Sequence, residues 1–384
     1  MDIHVDGVFD LKHSDHVISG VQVFSPDKIK DLLGEEDVLI GTVNWRNQEV
    51  IKKYLDDIGV TNELIDGSLM HSPLQRSICL LHNLNKEQIK YEECPYCFIE
   101  RNVCDILRDN LIITKKNVVL NKGMSKLPLI GVIVGNICTL RCNHCVESVP
   151  HSKLQRHQEP KEKLIKEIRR VAEAIEFVTV VDFVGGEPFL HPDLPELIEE
   201  TLSIPNIGFI NIFTNGTVKP SPKLLEVLKK DYVVVNVSDY SGQLPQTMRD
   251  KITETVRILR SANIATTYVK DMTWYDISSF EKNNDNEEEL KERFHRCRVN
   301  SCQRLYDNQM YRCLHLYSGY VTGKLQIDEN DISIVNNIFD GDVESLARRL
   351  DNFWDIPYST ACKYCELPYI SKLVPSGEQV KVEG

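Results

Sequence analysis

The sequence has no apolar run near the roughly 20 residues that a helix needs to cross a bilayer. Its first stretch, MDIHVDGVFD, carries neither the basic nor the apolar segment of a secretory signal. Together these predict a cytoplasmic chain with no membrane contact. Positive charge is also in deficit: 45 Lys and Arg stand against 57 Asp and Glu, a formal net charge of -12. Nucleic-acid surfaces carry a basic excess, so no nucleic-acid partner is expected. Residues 1–78 alternate strand and helix signals but contain no G-x-G-x-x-G, so a dinucleotide has no phosphate cradle there. Internal repeats are absent, and the one biased segment is the acidic EKNNDNEEELKE at 281–292.

Cysteine, by contrast, is abundant. The chain has 12, and disulfides are rare in a reducing compartment. They fall in three groups: Cys79, Cys94, Cys97 and Cys104; Cys138, Cys142 and Cys145; and Cys297, Cys302, Cys313, Cys362 and Cys365. Clusters of this kind point first to metal sites.

Hydrophobic periodicity sets the organisation. Val21–Phe24 and 38–43 read as strands, Ser25 and Pro26 as a helix start, and 50–58 as a helix ending at Gly59. This makes 1–78 a small α/β unit, and 79–126 a cysteine-containing connector ending in polar, basic sequence. From 127 strands are predicted at 129–134, 178–184, 209–213, 233–237 and 265–269. Helices are predicted between and after them at 161–177, 193–202, 221–229 and 247–261. Apolar strands alternating with amphipathic helices imply a parallel sheet covered by helices. The fold class is α/β: a partial (βα)6 barrel over 127–285, with chemistry at the C-terminal strand ends, and a cysteine-rich domain over 286–384.

The spacing Cys138-x3-Cys142-x2-Cys145 puts three thiolates on one short loop after the first barrel strand. Three thiolates can hold three irons of a [4Fe–4S] cube and leave the fourth without a protein ligand. A zinc loop or unrelated thiols are the alternatives. The spacing resembles the signature loop of the radical S-adenosylmethionine (SAM) superfamily. The resemblance implies that the open iron chelates the amino and carboxylate groups of SAM, and that reduction cleaves SAM to a 5′-deoxyadenosyl radical. It implies further that Gly185, Gly186, Glu187 and Pro188 form the family's GGEP motif at the SAM amino group. Thr214, Asn215 and Ser238 (with Asp239) then meet its carboxylate and ribose, and His144 takes the adenine-packing place usually held by an aromatic residue. Trp274 and Tyr275 are candidates to line a substrate pocket or to form a packed pair. His151, His191 and His315 are proton-transfer candidates by residue type alone.

The third cysteine group resembles the auxiliary-cluster region of the SPASM and twitch subfamilies. That resemblance implies a second [4Fe–4S] cluster on Cys302, Cys313, Cys362 and Cys365, with Cys297 able to replace Cys302. A zinc site on the same thiolates is the alternative. The full SPASM cysteine set is missing, which favours one auxiliary cluster of the twitch type. The first group is left open between metal binding and ordinary buried thiols. The stretch from SGVQVFSPDKIKDLL to IKKYLDDIGV resembles the second half of small Rossmann-like modules of bacterial surface-polysaccharide and nucleotide-sugar enzymes, which implies a Rossmann-like α/β unit over 1–78. The expected function is hydrogen abstraction from a sugar or sugar-containing precursor, leading to oxidation or epimerisation. A reducing partner such as flavodoxin or ferredoxin is implied. The alternatives are a maturase of ribosomally made peptides and a non-catalytic iron–sulfur carrier.

Overall fold

The computed structural model describes residues 129–380 except 176–177, 231, 271–272, 278, 298–301, 327–330 and 367–372. Before these it describes 8–9, 17–18, 21–34, 38–40, 45–62 and 64–66. The chain divides into two compact units, 1–124 and 125–384.

In the first unit, β1 (Val8–Phe9) pairs parallel with β3 (Val21–Phe24), and β2 (Val17–Ile18) pairs antiparallel with β3. After Pro26–Lys28 and the short helix α1 (Ile29–Leu32) come β4 (Val38–Ile40), α2 (Trp45–Asp57) and β5 (Leu64–Asp66), with β4 and β5 parallel. Ser25 precedes the first turn in extended backbone but makes no side-chain cap bond. Gly59 follows α2 at φ +74°, the left-handed geometry that a helix terminus gives to glycine. Ile29 and Leu55 are the buried centre of this unit. Cys79, Cys94, Cys97 and Cys104 lie outside the described residues.

The second unit is built on an eight-stranded sheet. Five strands run parallel in sequence order: β6 (Leu129–Ile133), β7 (Val178–Val184), β8 (Ile207–Thr214), β9 (Val233–Asp239) and β10 (Thr266–Lys270). The crossovers are α3 (Lys161–Glu173), α4 (Leu194–Leu202), α5 (Pro222–Leu228) and α6 (Gln246–Ser261). Helix α3 buries Leu164, Ile165, Ile168, Val171 and Ala172, one face at helical spacing. It stops earlier than its apolar pattern predicts. Asn206 Nδ2 donates to the carbonyls of Ala172 (2.7 Å) and Ile175 (2.8 Å), satisfying acceptors that a helix end leaves open. In α5, Ser221 caps Leu224 N at 3.1 Å.

A sixth βα repeat would continue from β10, but the chain leaves the sheet there. The strand β11 (Thr273–Tyr275) pairs instead with β15 (Leu373–Pro375). The acidic stretch becomes α7 (Glu287–Arg296), opened by a capping box of Asn286 and Glu289. Its three glutamates, Glu287 to Glu289, suit the positive end of the helix dipole. The sixth parallel strand, β12 (Arg304–Tyr306), joins at the other edge, beside β6. Gly131 permits this: a Cβ there would stand 2.6 Å from Arg304 Nη1 and 2.8 Å from the Gln303 carbonyl. The hairpin to β13 (Gln309–Tyr311) turns on Asp307 and Asn308, both at positive φ (49° and 61°), as a tight hairpin turn demands. Beyond it lie α8 (Leu314–Thr322), β14 (Ile334–Val335) and α9 (Val343–Asp355). Helix α8 is buried nearly all round and packs with Ile133, Val184, Tyr306 and Tyr311. No helix among the described residues is long and apolar enough to cross a membrane.

Candidate functional site

The site forms where β6, β7, β8 and β9 end. After β6, Asn136 fixes the loop's return: its Nδ2 donates to Gln155 O (3.0 Å) and its Oδ1 accepts from His157 N (2.8 Å). The loop between carries Cys138, Cys142 and Cys145. The Cys138 sulfur accepts from Leu140 N at 3.4 Å and from Asn215 Nδ2 at 3.5 Å. The Cys142 sulfur accepts from Gln379 Nε2 at 3.5 Å. Cys145 N closes a turn onto Cys142 O at 3.2 Å. Burial raises the Cys138 thiol's pKa, and pushes Cys142 up to about 11 and Cys145 up to about 12. The neighbouring sulfurs add to the last two shifts, which places the thiols within electrostatic reach of one another. Binding metal here therefore releases protons, because the ligand form is the thiolate. Among the described residues, no three His, Cys, Asp or Glu side chains are gathered as for a single bound ion.

Gly185 and Gly186, after β7, lie directly against this loop. Gly186 N donates to Gly135 O (2.9 Å) and Glu187 N to Ile137 O (2.8 Å). A Cβ at Gly185 would collide with the Gly135 carbonyl, and one at Gly186 with that of Ile137. Gly185 also stands at φ +127°. Glu187 is fully buried, and Pro188 begins the short turn after it. The Glu187 carboxylate accepts from Phe189 N (3.1 Å), Thr214 Oγ1 (2.7 Å) and Asn215 N (2.8 Å). It thus ties the end of β7 to the end of β8. Asn215 Nδ2 also reaches Thr139 Oγ1 at 3.2 Å. The donor set fits a cluster of anionic sulfurs: N–H groups point at Cys138 and Cys142, backbone hydrogen bonds from Val149 and Glu147 act on Cys145, and bare glycine backbone lies alongside.

His144 sits between Asp276 (Nδ1 to Oδ1, 3.1 Å) and Glu378 (Nε2 to Oε2, 3.8 Å). Ser238 hydrogen-bonds the Tyr240 hydroxyl, and Tyr240 is close enough to all three loop cysteines for their charge to raise its pKa, after burial. Tyr240 packs edge-on against Trp274 at 5.0 Å between ring centroids. Ser238 and Trp274 stand out as candidates in the sequence, whereas Tyr240, two positions on from Ser238, and the C-terminal Glu378 and Gln379 do not. Nothing local in the sequence marks these three. Asp239 turns instead to Ser241 N (2.7 Å) and to the Tyr268 hydroxyl. Of the histidines, His191 holds backbone on both ring nitrogens, at Glu159 O (2.8 Å) and Asp193 N (3.2 Å). His151 donates to Asn143 O in the cysteine loop (2.8 Å). His315 donates to Tyr364 O (3.1 Å) and stacks on Phe280 at 4.3 Å.

The third cysteine group meets around the β12–β13 hairpin. Cys302 precedes β12 and Cys313 follows β13. Cys362 lies within electrostatic reach of Cys313, Cys365 and Cys297, and burial with these three neighbours holds its thiol well above the usual range. Cys302 has other company: burial pushes it up to about 11, and its charged neighbours are Arg304, Asp182, Cys313 and Glu147. The Arg304 guanidinium and the Glu147 carboxylate form a buried pair at 2.7 and 2.9 Å. Asp182 accepts from Asn211 Nδ2 at 3.1 Å, and burial raises its carboxyl to about 7. One strand further, Thr267 donates to Asn236.

Residues 132–294 match the family model of the Radical SAM superfamily. The chain is 33% identical over 90 residues to the GTP 3′,8-cyclase of Chlorobaculum tepidum, covering 23% of this chain and 26% of that protein. It is 34% identical over 87 residues to the molybdenum cofactor biosynthesis protein 1 of Drosophila melanogaster, covering 21% and 14%. The chain thus spans about a quarter or less of these curated relatives' length. Among solved structures it is similar to Streptococcus suis SuiB bound to S-adenosylmethionine, with TM-score 0.33, 15% identity, and 64% and 47% of the two chains covered. It is also similar to BtrN in complex with AdoMet and 2-DOIA, with TM-score 0.37, 17% identity, and 62% and 93% covered. The family model lies over the strands whose ends carry the cysteine loop and the glycine turn, so residues 132–294 are a radical SAM domain, a family whose cofactors are a [4Fe–4S] cluster and SAM.

Proposed function

We propose that this chain cleaves SAM reductively and abstracts hydrogen from a sugar or sugar-containing precursor, leading to its oxidation or epimerisation. Cys138, Cys142 and Cys145 hold three irons, and the cluster bound there supplies the electron that breaks SAM. Gly185, Gly186, Glu187 and Pro188 shape the backbone beside it, with Glu187 locking Thr214 and Asn215 in place for the methionine end of SAM. Ser238 serves the ribose and His144, steadied by Asp276, the adenine side. A flavodoxin- or ferredoxin-like reductant delivers the electron.

The polar lining of the sheet carries the substrate reading. Asp182, Asn211, Asn236 and Thr267 are buried on adjoining strands, with the Arg304–Glu147 pair within electrostatic reach of Asp182. Asn211 Oδ1 and Asn236 Nδ2 are buried with no hydrogen-bond partner. An unpartnered buried amide group costs about 1–3 kcal/mol. A hydroxyl-rich small molecule, or the water it displaces, satisfies both.

Residues 286–384 carry the auxiliary cluster in this reading, and its ligands are Cys297, Cys313, Cys362 and Cys365. Cys302, whose charged neighbours are Arg304, Asp182 and Glu147 as well as Cys313, is left out of the set.

Anaerobically reconstituted protein given dithionite and SAM is expected to yield 5′-deoxyadenosine. The triple variant Cys138→Ala, Cys142→Ala, Cys145→Ala should lose this and keep the auxiliary iron; SAM cleavage by that variant rejects the assignment. In the same assay Cys297→Ala should lose the auxiliary iron and Cys302→Ala should retain it. Deuterium passing from a labelled sugar into 5′-deoxyadenosine supports the substrate class, and transfer only from a labelled peptide rejects it.

A further inference from the structure

The C-terminal segment returns to the cysteine loop. Strand β15 lies antiparallel on β11, with Val374 opposite Trp274. Ser376 is buried, and Gly377 turns the chain at φ +76°, where a Cβ would collide with the Tyr240 side chain. Residues 378–380 then run antiparallel along the loop, with Gln379 opposite Cys142. Asn143 N donates to Glu378 O (2.6 Å), and Val380 N donates to Arg141 O (2.8 Å).

Gln379 uses both ends of its amide. Its Oε1 accepts from Arg141 N at 2.8 Å. Its Nε2 donates to Gly377 O at 2.6 Å and to the Cys142 sulfur at 3.5 Å. The first of these two bonds fixes the amide's orientation, so the second N–H is aimed rather than free to turn. Cys142 is only 7% exposed beneath this strand.

We propose that residues 376–380 are a strap on the cysteine loop, and that Gln379 is a positioning residue that tunes the SAM-binding cluster through its hydrogen bond to the Cys142 sulfur. The proposal rests on the reading above that Cys142 is a ligand. Adding an electron to a cluster raises the negative charge on its sulfurs, and an N–H donor stabilises that charge. Hydrogen bonds to the sulfurs therefore raise the reduction potential, and solvent exposure is a second lever on it. The strap applies both at one ligand, since it supplies the donor and covers the sulfur. A cluster whose potential is raised accepts an electron from a weaker donor.

The test uses the full chain, reconstituted anaerobically, and follows the reduced cluster's electron paramagnetic resonance signal that shifts when SAM is added. This response separates it from the auxiliary cluster. Gln379→Met removes the acceptor for Arg141 and the donor to Cys142 at similar volume. Gln379→Glu keeps an acceptor for Arg141 and removes the donor. Both variants are expected to move the midpoint potential of that signal to more negative values, and Gln379→Met to bleach several-fold faster in air. If Gln379→Glu keeps the wild-type midpoint, the hydrogen bond has no tuning role and the proposal fails. If only Gln379→Met shifts, the strap merely holds the loop, which also overturns it. If Cys142→Ala retains the SAM-responsive signal, the ligand reading has failed instead.

Discussion

Single side chains in this molecule are governed by desolvation. Asp182 and Glu187 are each pushed up to about 7 by burial, against which their hydrogen bonds to Asn211, and to Thr214, Asn215 and Phe189, act only in part. An acid whose pKa is raised on folding binds its proton more tightly in the folded state. Its contribution is complete below the unfolded pKa of about 4 and is lost as pH rises towards the folded value. Each such group lowers stability by up to about 1.4 kcal/mol per pH unit in that window. Asp182→Asn removes one of the two while keeping a hydrogen-bonding side chain beside Asn211. Its urea-unfolding midpoint should change less than wild type between about pH 5 and about pH 7. An unchanged slope would mean that Asp182 is ionised throughout, held by the nearby Arg304. At this scale the sequence was legible where chemistry follows residue type. Cysteine spacing and a glycine pair are visible in a string, whereas the proximity of Tyr240 to all three loop thiols is not.

Between elements, the main tie is the ion pair of Glu147 and Arg304, both 7% exposed at the side chain. Glu147 lies two residues after Cys145, and Arg304 two residues after Cys302, so the pair pins the cysteine loop to the β12–β13 hairpin. Removing one partner of a buried pair leaves an uncompensated charge, which costs about 3–5 kcal/mol. Arg304→Met is expected to destabilise by that order. Arg304→Met combined with Glu147→Leu is expected to recover most of the loss, because it buries no lone charge. Chemical denaturation of the two variants measures the difference, and equal losses would show that the pair contributes through shape alone. The strands β6 to β10 follow the predicted apolar runs closely, because a strand buried on both faces has little choice of side chain. The position of β12 was not legible. Its place beside β6 depends on Gly131 leaving room for an arginine, a contact between residues 173 positions apart.

At the scale of the whole molecule, residues 125–384 are one compact unit whose sheet runs from β10 to β6 and continues directly into β12, β13 and β14 of the cysteine-rich region. A fragment of 125–384 is expected to fold and, once reconstituted, to cleave SAM. The same fragment cut after residue 285 loses β12 to β14 and leaves the edge of β6 and the apolar surface under α8 exposed. Such an edge invites aggregation. Solubility and 5′-deoxyadenosine yield of the two fragments check this, and a soluble, active short fragment would contradict it.

The sequence by itself determined the alternation of strands and helices, the resemblance to the radical SAM signature, and the loop of three cysteines. Each is written in short-range pattern: side-chain period, spacing and local turn chemistry. Tertiary structure decided the rest. It brought Cys297 near Cys362 and Cys302 near Cys313, brought Gln379 to Cys142 across 237 positions, and set an arginine opposite a glycine at the sheet edge. Those contacts join segments whose separation along the chain leaves no periodic trace, and only burying one against the other selects them.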